Sequence, residues 1–114
     1  MADCLFCKMV RREIEPDVVY EDDEILAFRD IHPQAPTHVL VIPKRHITTL
    51  NDLVPADAGL IGRLCLTAQR IAREQGLAEP GYRIVINCNR EAGQTVFHLH
   101  LHLLGGRPMG WPPG

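Results

Sequence analysis

The segment that decides the fold is His-Leu-His-Leu-His at residues 98–102, followed directly by Leu-Leu-Gly-Gly. Strict alternation of two residue types predicts a β-strand, because successive side chains of a strand point to opposite faces. The three histidines would share one face, and the leucines would pack into a core on the other. Neighbouring imidazoles would then lie about 6.5–7 Å apart. Since histidine titrates near neutral pH, this row indicates chemistry more than packing.

The row of histidines allows three interpretations. The first is structural, with each ring at the surface or hydrogen-bonded in the core. The second is metal binding, but His98 and His102 would lie roughly 13 Å apart, too far for the ligands of one ion. Two neighbours, such as His98 and His100, could still chelate an ion with a third ligand. The third is catalysis, with one imidazole as nucleophile or base and another as a phosphate donor.

Length and composition narrow the class of protein. A chain of 114 residues predicts a single domain, residues 1–114, with a modest core. The formal charge of −2 and the lack of an apolar run near the ~20 residues of a bilayer span indicate neither a nucleic-acid nor a membrane partner. The N-terminal residues do not resemble a signal peptide, so we expect a cytoplasmic protein. There the four cysteines would be thiols or ligands rather than disulfides.

The remaining pattern predicts an α+β fold. We expect a short helix or turn within residues 4–13 and strands near residues 18–20, 25–28, 38–42, 82–87 and 95–104. Residues 55–75 should form a long helix, because apolar side chains recur there at helical spacing. Pro55 suits the first turn of that helix and Gly76 suits its end. Runs of strands with one long helix predict an antiparallel sheet with the helix on one face.

These features together resemble the histidine triad (HIT) superfamily, and within it the branch of nucleotide-binding Hint proteins. Besides the histidine segment, the resemblance is carried by Asp30-Ile31, Pro36-Thr37-His38, Val41-Ile42-Pro43-Lys44-Arg45-His46, Asn87, Gly93-Gln94-Thr95-Val96, Gly105-Gly106-Arg107 and Trp111-Pro112-Pro113-Gly114. It extends from about Phe6 to Gly114. It implies a HIT-like antiparallel sheet of about five strands, one long helix and a short N-terminal helix.

The resemblance implies hydrolysis of the P–N bond of adenosine-type nucleoside phosphoramidates. His100 would attack the phosphorus and become transiently nucleotidylated, because a neutral imidazole is nucleophilic near pH 7. His102 would donate to a phosphate oxygen or to the leaving group, and His38 would orient the triad. Gln94 and Thr95 would hydrogen-bond the phosphate or leaving group, where donors aimed at developing charge promote reaction.

The same resemblance implies the nucleoside contacts. Asp30 would accept hydrogen bonds from both ribose hydroxyls, Ile31 would pack against the base, and Asn87 would contact the sugar or phosphate region. Taken alone, Asp30 would be a solvated loop acid and Asn87 a turn-stabilising amide. Gly93 would let the backbone approach the ligand closely. The expected ligand is a purine nucleotide of the AMP or GMP type.

A separate hypothesis concerns Cys4-Leu-Phe-Cys7. One C-x-x-C pair is weak evidence for zinc, because a closed site needs four ligands. Some HIT proteins hold zinc on such a pair, with the histidine after Pro-Lys and the first triad histidine, which here are His46 and His98. The resemblance therefore implies structural Zn²⁺. The alternative is two free thiols; a redox pair is disfavoured because no thioredoxin-like βαβ context follows.

The resemblance also implies a homodimer. Hint proteins join their sheets across a two-fold axis, and a small domain with an open sheet edge has reason to pair it. The long helix and the strand at 82–87 would form the interface, and Trp111 would reach the partner's leaving-group side. Otherwise Trp111 belongs to an exposed tail. Two further functions stay open: a dinucleoside polyphosphate hydrolase or nucleotidyl transferase of the same superfamily, and a nucleotide-binding regulatory module.

Overall fold

The computed structural model describes residues 4–114. Residues 1–3, which belong to the N-terminal segment that does not resemble a signal peptide, lie outside the described part of the chain. The described chain contains α1 (Leu5–Val10), β1 (Val18–Glu21), β2 (Ile25–Arg29), β3 (Thr37–Pro43), α2 (Ala58–Glu74), β4 (Tyr82–Val85) and β5 (Leu101–Gly105). Short 3-10 turns occupy Leu50–Asp52, Pro55–Asp57 and Arg90–Ala92. Neither α-helix combines the length and the apolarity that crossing a bilayer requires.

The five strands form one antiparallel sheet in the order β1-β2-β3-β5-β4. Strand β3 lies at the centre, and from His38 to Pro43 it is buried throughout, which fits its β-branched sequence. Its ladder with β5 runs from Thr37 opposite Gly105 to Val41 opposite Leu101. This architecture confirms the predicted α+β sheet with one long helix and a short N-terminal helix.

The two faces of the sheet carry different cores. On one face, the larger cluster joins Val39, Val41, Leu101 and Leu103 to the apolar side of α2. On the other face, Phe6 of α1 packs over a smaller cluster of strand side chains, namely Leu26, Phe28, Leu40 and Ile42. Alternate residues of β3 therefore serve both cores, as the period of a strand requires.

Helix α2 follows its predicted pattern closely. Its buried residues are Leu60, Leu64, Thr67, Ala68, Ile71 and Ala72, which form one stripe at helical spacing. Pro55 begins the 3-10 turn that leads into the helix. Gly76 follows the helix with a φ of 76°, a left-handed conformation that glycine adopts without strain at helix ends.

The predicted extents of the last two strands are wrong. Strand β4 ends at Val85 rather than residue 87, and β5 begins at Leu101 rather than residue 95, so only His102 of the three histidines lies in a strand. The ladder with β3 ends at the pair of Val41 and Leu101, although β3 itself continues to Pro43. Before that pair, the Leu99 N–H donates to the carbonyl of Ile47, in the loop after β3, at 2.6 Å. The alternation nevertheless persists, because Leu99 is buried in the same cluster as the leucines of β5.

Candidate active site

His100 is held as a neutral ring, and its Nε2 has no hydrogen-bond partner among residues 4–114. Its Nδ1 lies 2.8 Å from the carbonyl oxygen of His98. A carbonyl can only accept, so Nδ1 carries the proton and Nε2 keeps its lone pair. The Phe6 ring packs edge-on against the imidazole, with centroids 5.2 Å apart. Burial lowers the pKa of His100, which favours the uncharged, nucleophilic form near pH 7.

His102 is held in the opposite tautomer through His38. The Gln34 N–H donates to Nδ1 of His38 at 3.0 Å, so the neutral His38 ring keeps its proton on Nε2. That Nε2 lies 2.9 Å from Nδ1 of His102, which therefore accepts and leaves the His102 proton on Nε2. Burial lowers the pKa of His102 to about 4 and also lowers the pKa of His38.

Asp30 completes this group. One carboxylate oxygen lies 3.5 Å from Nε2 of His38, and the other accepts the His32 N–H at 2.8 Å. By residue type, Asp30, His38 and His102 could hold a metal ion, with their ligand atoms within 4.8 Å of one another. The hydrogen bond from the Gln34 N–H to Nδ1 of His38 opposes that interpretation. It leaves a proton on Nε2 of His38, where a metal ion would need a lone pair.

The His100 and His102 rings form a complementary pair. Their centroids lie 4.9 Å apart, closer than the spacing predicted for an extended strand, and the ring planes are inclined by 58° to each other. One ring offers a lone pair and the other an N–H donor. Such a pair suits attack by nitrogen on an electrophile whose developing negative charge needs a hydrogen-bond donor.

His98 belongs to a different cluster, with Cys4, Cys7 and His46. Its Nδ1 lies 3.3 Å from Sγ of Cys4 and 3.6 Å from Sγ of Cys7, while Nδ1 of His46 lies 3.3 Å from Sγ of Cys7. One ligand atom from each of the four residues lies within 4.8 Å of the others. The structure thus separates His98 from His100, and the chelating pair considered above is not formed.

The protonation pattern of this cluster fits a metal ion. Nε2 of His98 lies 2.7 Å from the Pro43 carbonyl, so Nε2 carries the proton and the Nδ1 lone pair faces the sulfurs. Burial raises the pKa of the Cys7 thiol and lowers the pKa of His98 to about 4. A cation among the four side chains would favour the thiolates that zinc requires.

The loop before the triad departs from one expectation. Gln94 is buried, and its side-chain N–H groups already donate to the carbonyls of Thr48 and Val96 at 3.0 and 3.1 Å. Its oxygen accepts the Asn89 N–H. The amide therefore has no spare N–H for a phosphate and instead holds the loop together. Next to it, Gly93 has a φ of 87°, which favours glycine.

The other predicted contact residues remain open to solvent or a partner. Ile31, beside Asp30, is 81% exposed, and Trp111 is 83% exposed. The Trp111 ring lies beneath the Arg83 guanidinium, with the guanidinium carbon 5.9 Å from the ring centroid. Thr95 is exposed and Asn87 is half-buried.

Sequence reasoning missed two contributors. Phe6 is not among the residues that the sequence patterns indicate, although its position inside C-x-x-C places it beside any site those cysteines form. Its ring contacts both His98 and His100. Gln34 acts on His38 through its main-chain N–H. Because almost every residue type carries this group, the sequence does not indicate the contact.

Comparisons with known proteins identify the family of this chain. Residues 11–109 match the model of the HIT domain family. The chain is 52% identical over 108 residues to the purine nucleoside phosphoramidase of Escherichia coli K12, covering 95% of this chain and 91% of that protein. It is 56% identical over 112 residues to an uncharacterised HIT-like protein of Synechococcus elongatus, covering 98% and 97%.

The solved structures lead to the same family. The crystal structure of a HIT family hydrolase from Legionella pneumophila superposes with a TM-score of 0.97 at 56% identity, covering 98% of this chain and all of that one. A HIT family hydrolase from Clostridium thermocellum gives 0.93 at 45% identity, covering 96% of each chain. The chain therefore belongs to the HIT domain family, as the histidine segment predicted. It is a hydrolase of that family.

The low pKa of His102 predicts acid sensitivity. The folded ring resists protonation until about pH 4, whereas the unfolded ring takes a proton near its ordinary value of about 6.5. Above about pH 6.5 both states are neutral; below it the unfolded state binds more protons, so the free energy of unfolding falls until about pH 4. Urea unfolding of His102→Gln across this range should show a shallower decline than the wild type.

The exposed His32 provides the control for this experiment. His32→Gln makes the same substitution at an exposed ring, and the slope for His102→Gln is compared with the slopes of this variant and of the wild type. Equal slopes for His102→Gln and the wild type would contradict the assignment of a buried neutral ring.

Proposed function

We propose that this chain hydrolyses the P–N bond of purine nucleoside phosphoramidates through a nucleotidyl intermediate on His100. The observation that carries the proposal is the pair of rings 4.9 Å apart, with a free lone pair on His100 and an N–H donor on His102. The similarity to the Escherichia coli purine nucleoside phosphoramidase supports this substrate class over most of the chain.

In the first step, Nε2 of His100 attacks the phosphorus and the P–N bond breaks. The nucleotidylated ring becomes cationic, and its Nδ1–H keeps donating to the His98 carbonyl, which stabilises the charge. Nε2–H of His102 hydrogen-bonds a phosphate oxygen or the leaving group and, as the P–N bond breaks, its proton passes to the leaving nitrogen, which departs as a neutral amine. In the second step, water attacks the phosphorus, returns a proton to Nε2 of His102 and displaces neutral His100. Overall, water supplies a hydroxyl to phosphorus and a proton to the released amine.

The nucleoside is proposed to bind beside the triad. Asp30 would accept from the ribose hydroxyls, and the exposed Ile31 would offer the base an apolar surface. Asn87 would contact the sugar or phosphate region. The Gly93 backbone and the Thr95 hydroxyl would approach the phosphate, while Gln94 would hold their loop in place through its buried amide.

A turnover panel tests the substrate class. Adenosine and guanosine phosphoramidates should be hydrolysed with higher kcat/KM than diadenosine polyphosphates. Faster cleavage of the polyphosphates would favour the second hydrolase function of the superfamily. Binding of nucleotide without turnover of either class would favour a regulatory module.

His100→Ala should abolish covalent turnover. Loss of the nucleophile should lower kcat at least about a thousandfold, while nucleoside monophosphate still binds, because the ribose contacts remain. Rapid-quench mass spectrometry of the wild type should map the nucleotidyl group to residue 100. A nucleotidyl group on another residue would overturn the assignment, and His32→Ala should retain turnover.

The Cys4, Cys7, His46 and His98 cluster is proposed to hold a structural zinc ion. When bound, zinc would supply a fixed crosslink between α1 and the segments that carry His46 and His98. Protein purified without added metal should contain about one equivalent of zinc per chain. Cys4→Ser should lose that zinc, whereas Cys65→Ser should retain it. Metal-free wild type with all four thiols freely alkylated in the native state would contradict the proposal.

The protein is also proposed to form a two-fold dimer. Strand β4 lies at one end of the sheet order, and Ile84 on it is 41% exposed, so an edge is available for pairing. Helix α2 would contribute to the same interface. The exposed Trp111 would then reach the partner's site rather than its own.

Deleting residues 111–114 should change discrimination among leaving groups more than nucleoside affinity. The expected readout is a changed ratio of kcat/KM between two amine leaving groups, with unchanged affinity for nucleoside monophosphate. Sedimentation at micromolar concentration should give a dimer before and after deletion. A monomer would contradict the dimer, and unchanged substrate preference would contradict the role of the tail.

A further inference from the structure

We propose that Arg107 is a positioning residue for His102 and acts through the main chain of Gln34. The effect on catalysis rests on the proposed function, because it requires His102 to act on the substrate. The effect on the position of the His102 proton does not depend on that function. Arg107 would hold the loop from Asp30 to Pro36, called here the ribose loop, in the conformation that sets this tautomer.

The guanidinium of Arg107 binds main-chain oxygens. Its Nε and Nη2 lie 3.1 and 3.0 Å from the carbonyl oxygen of Gln34, and its Nη1 lies 3.0 Å from the carbonyl of Pro108. Among residues 4–114, no carboxylate forms an ion pair with this side chain. The planar fork, rather than the charge alone, therefore determines the contact.

Gln34 links this clamp to the triad. The residue whose carbonyl is held by Arg107 is the one whose N–H donates to Nδ1 of His38 at 3.0 Å. His38 in turn contacts Nδ1 of His102 at 2.9 Å. Arg107 lies two residues after β5, the strand that carries His102. The hydrogen bonds that begin at Arg107 and pass through Gln34 and His38 therefore return to His102 on the same strand.

Close packing strengthens the same junction. Gly106 has a φ of 94°, and a Cβ on it would lie 2.9 Å from Cβ of Pro36 at the end of the ribose loop. Only glycine fits there without a shift of the proline. The loop is thus held by the close approach of Gly106 to the Pro36 ring and by the guanidinium at Gln34.

The tautomer of His102 follows from this arrangement. If the Gln34 N–H withdraws, His38 loses the donor that keeps its Nδ1 unprotonated. Only the longer contact of 3.5 Å between its Nε2 and the Asp30 carboxylate then favours the original tautomer, and the proton can move to Nδ1. Its Nε2 would then accept rather than donate, and His102 would place its own proton on Nδ1 to meet it. His102 would lose the Nε2–H that the substrate needs, so kcat should fall more than KM rises.

The experiment compares Arg107→Ala, Arg107→Lys and Arg73→Ala. Arg73 is an exposed arginine in the last turn of α2, so its variant controls for loss of a surface cation. Long-range ¹H–¹⁵N NMR of ligand-free protein reports which nitrogen of His38 and His102 is protonated. Steady-state kinetics with adenosine phosphoramidate reports kcat and KM.

Arg107→Ala should move His102 from the Nε2–H toward the Nδ1–H tautomer and lower kcat at least about tenfold, with KM changed less than about twofold. Arg107→Lys should show the same tautomer shift, because an ammonium lacks the fork. Millimolar guanidinium should restore the tautomer and kcat of Arg107→Ala. Arg73→Ala should match the wild type in every readout.

Wild-type tautomers in Arg107→Ala and Arg107→Lys would overturn the proposal, whether or not thermal stability or activity falls. If Arg107→Ala does not fold, the tautomers of Arg107→Lys decide. Should the wild type fail to cleave phosphoramidates, the proposed function fails, but the NMR result still tests the role of Arg107.

Discussion

The hydrogen bond from Nδ1 of His100 to the carbonyl of His98 is the contact on which the site depends. It joins residues two apart in the chain, in the segment that leads into β5. This hydrogen bond fixes the tautomer of His100, the proposed nucleophile. It also connects the His100 ring to the main chain of His98, whose side chain lies in the cysteine cluster. Everything that immobilises His98 therefore also orients His100.

Both cores of the sheet support this contact. The leucines that alternate with the histidines are buried against α2, which prevents the segment from rotating about its own axis. On the other face, Phe6 lies against both His98 and His100, so α1 connects the cysteine cluster with the nucleophile through one ring. Burial by these layers lowers the pKa values of the imidazoles and keeps them neutral at physiological pH.

The sequence predicted the faces of the sheet better than the extents of its strands. Alternation and helical spacing depend on side-chain burial, and both are preserved in the structure. Strand ends depend on the partner available across the ladder, which for the Leu99 N–H is the loop residue Ile47 rather than a strand. Likewise, the family resemblance implied that His38 orients the triad, but its contact with His102 and the role of the Gln34 main-chain N–H come from the structure. The buried amide of Gln94 is also evident only from its three hydrogen bonds.

The most direct test of this account is the protonation state of His100 in the ligand-free protein. Long-range ¹H–¹⁵N NMR at pH 7 resolves the two ring nitrogens of each imidazole. The account predicts a neutral His100 ring with its proton on Nδ1 and an unprotonated Nε2. A proton on Nε2, or a doubly protonated ring at that pH, would contradict it, because the nitrogen proposed to attack phosphorus would then have no lone pair.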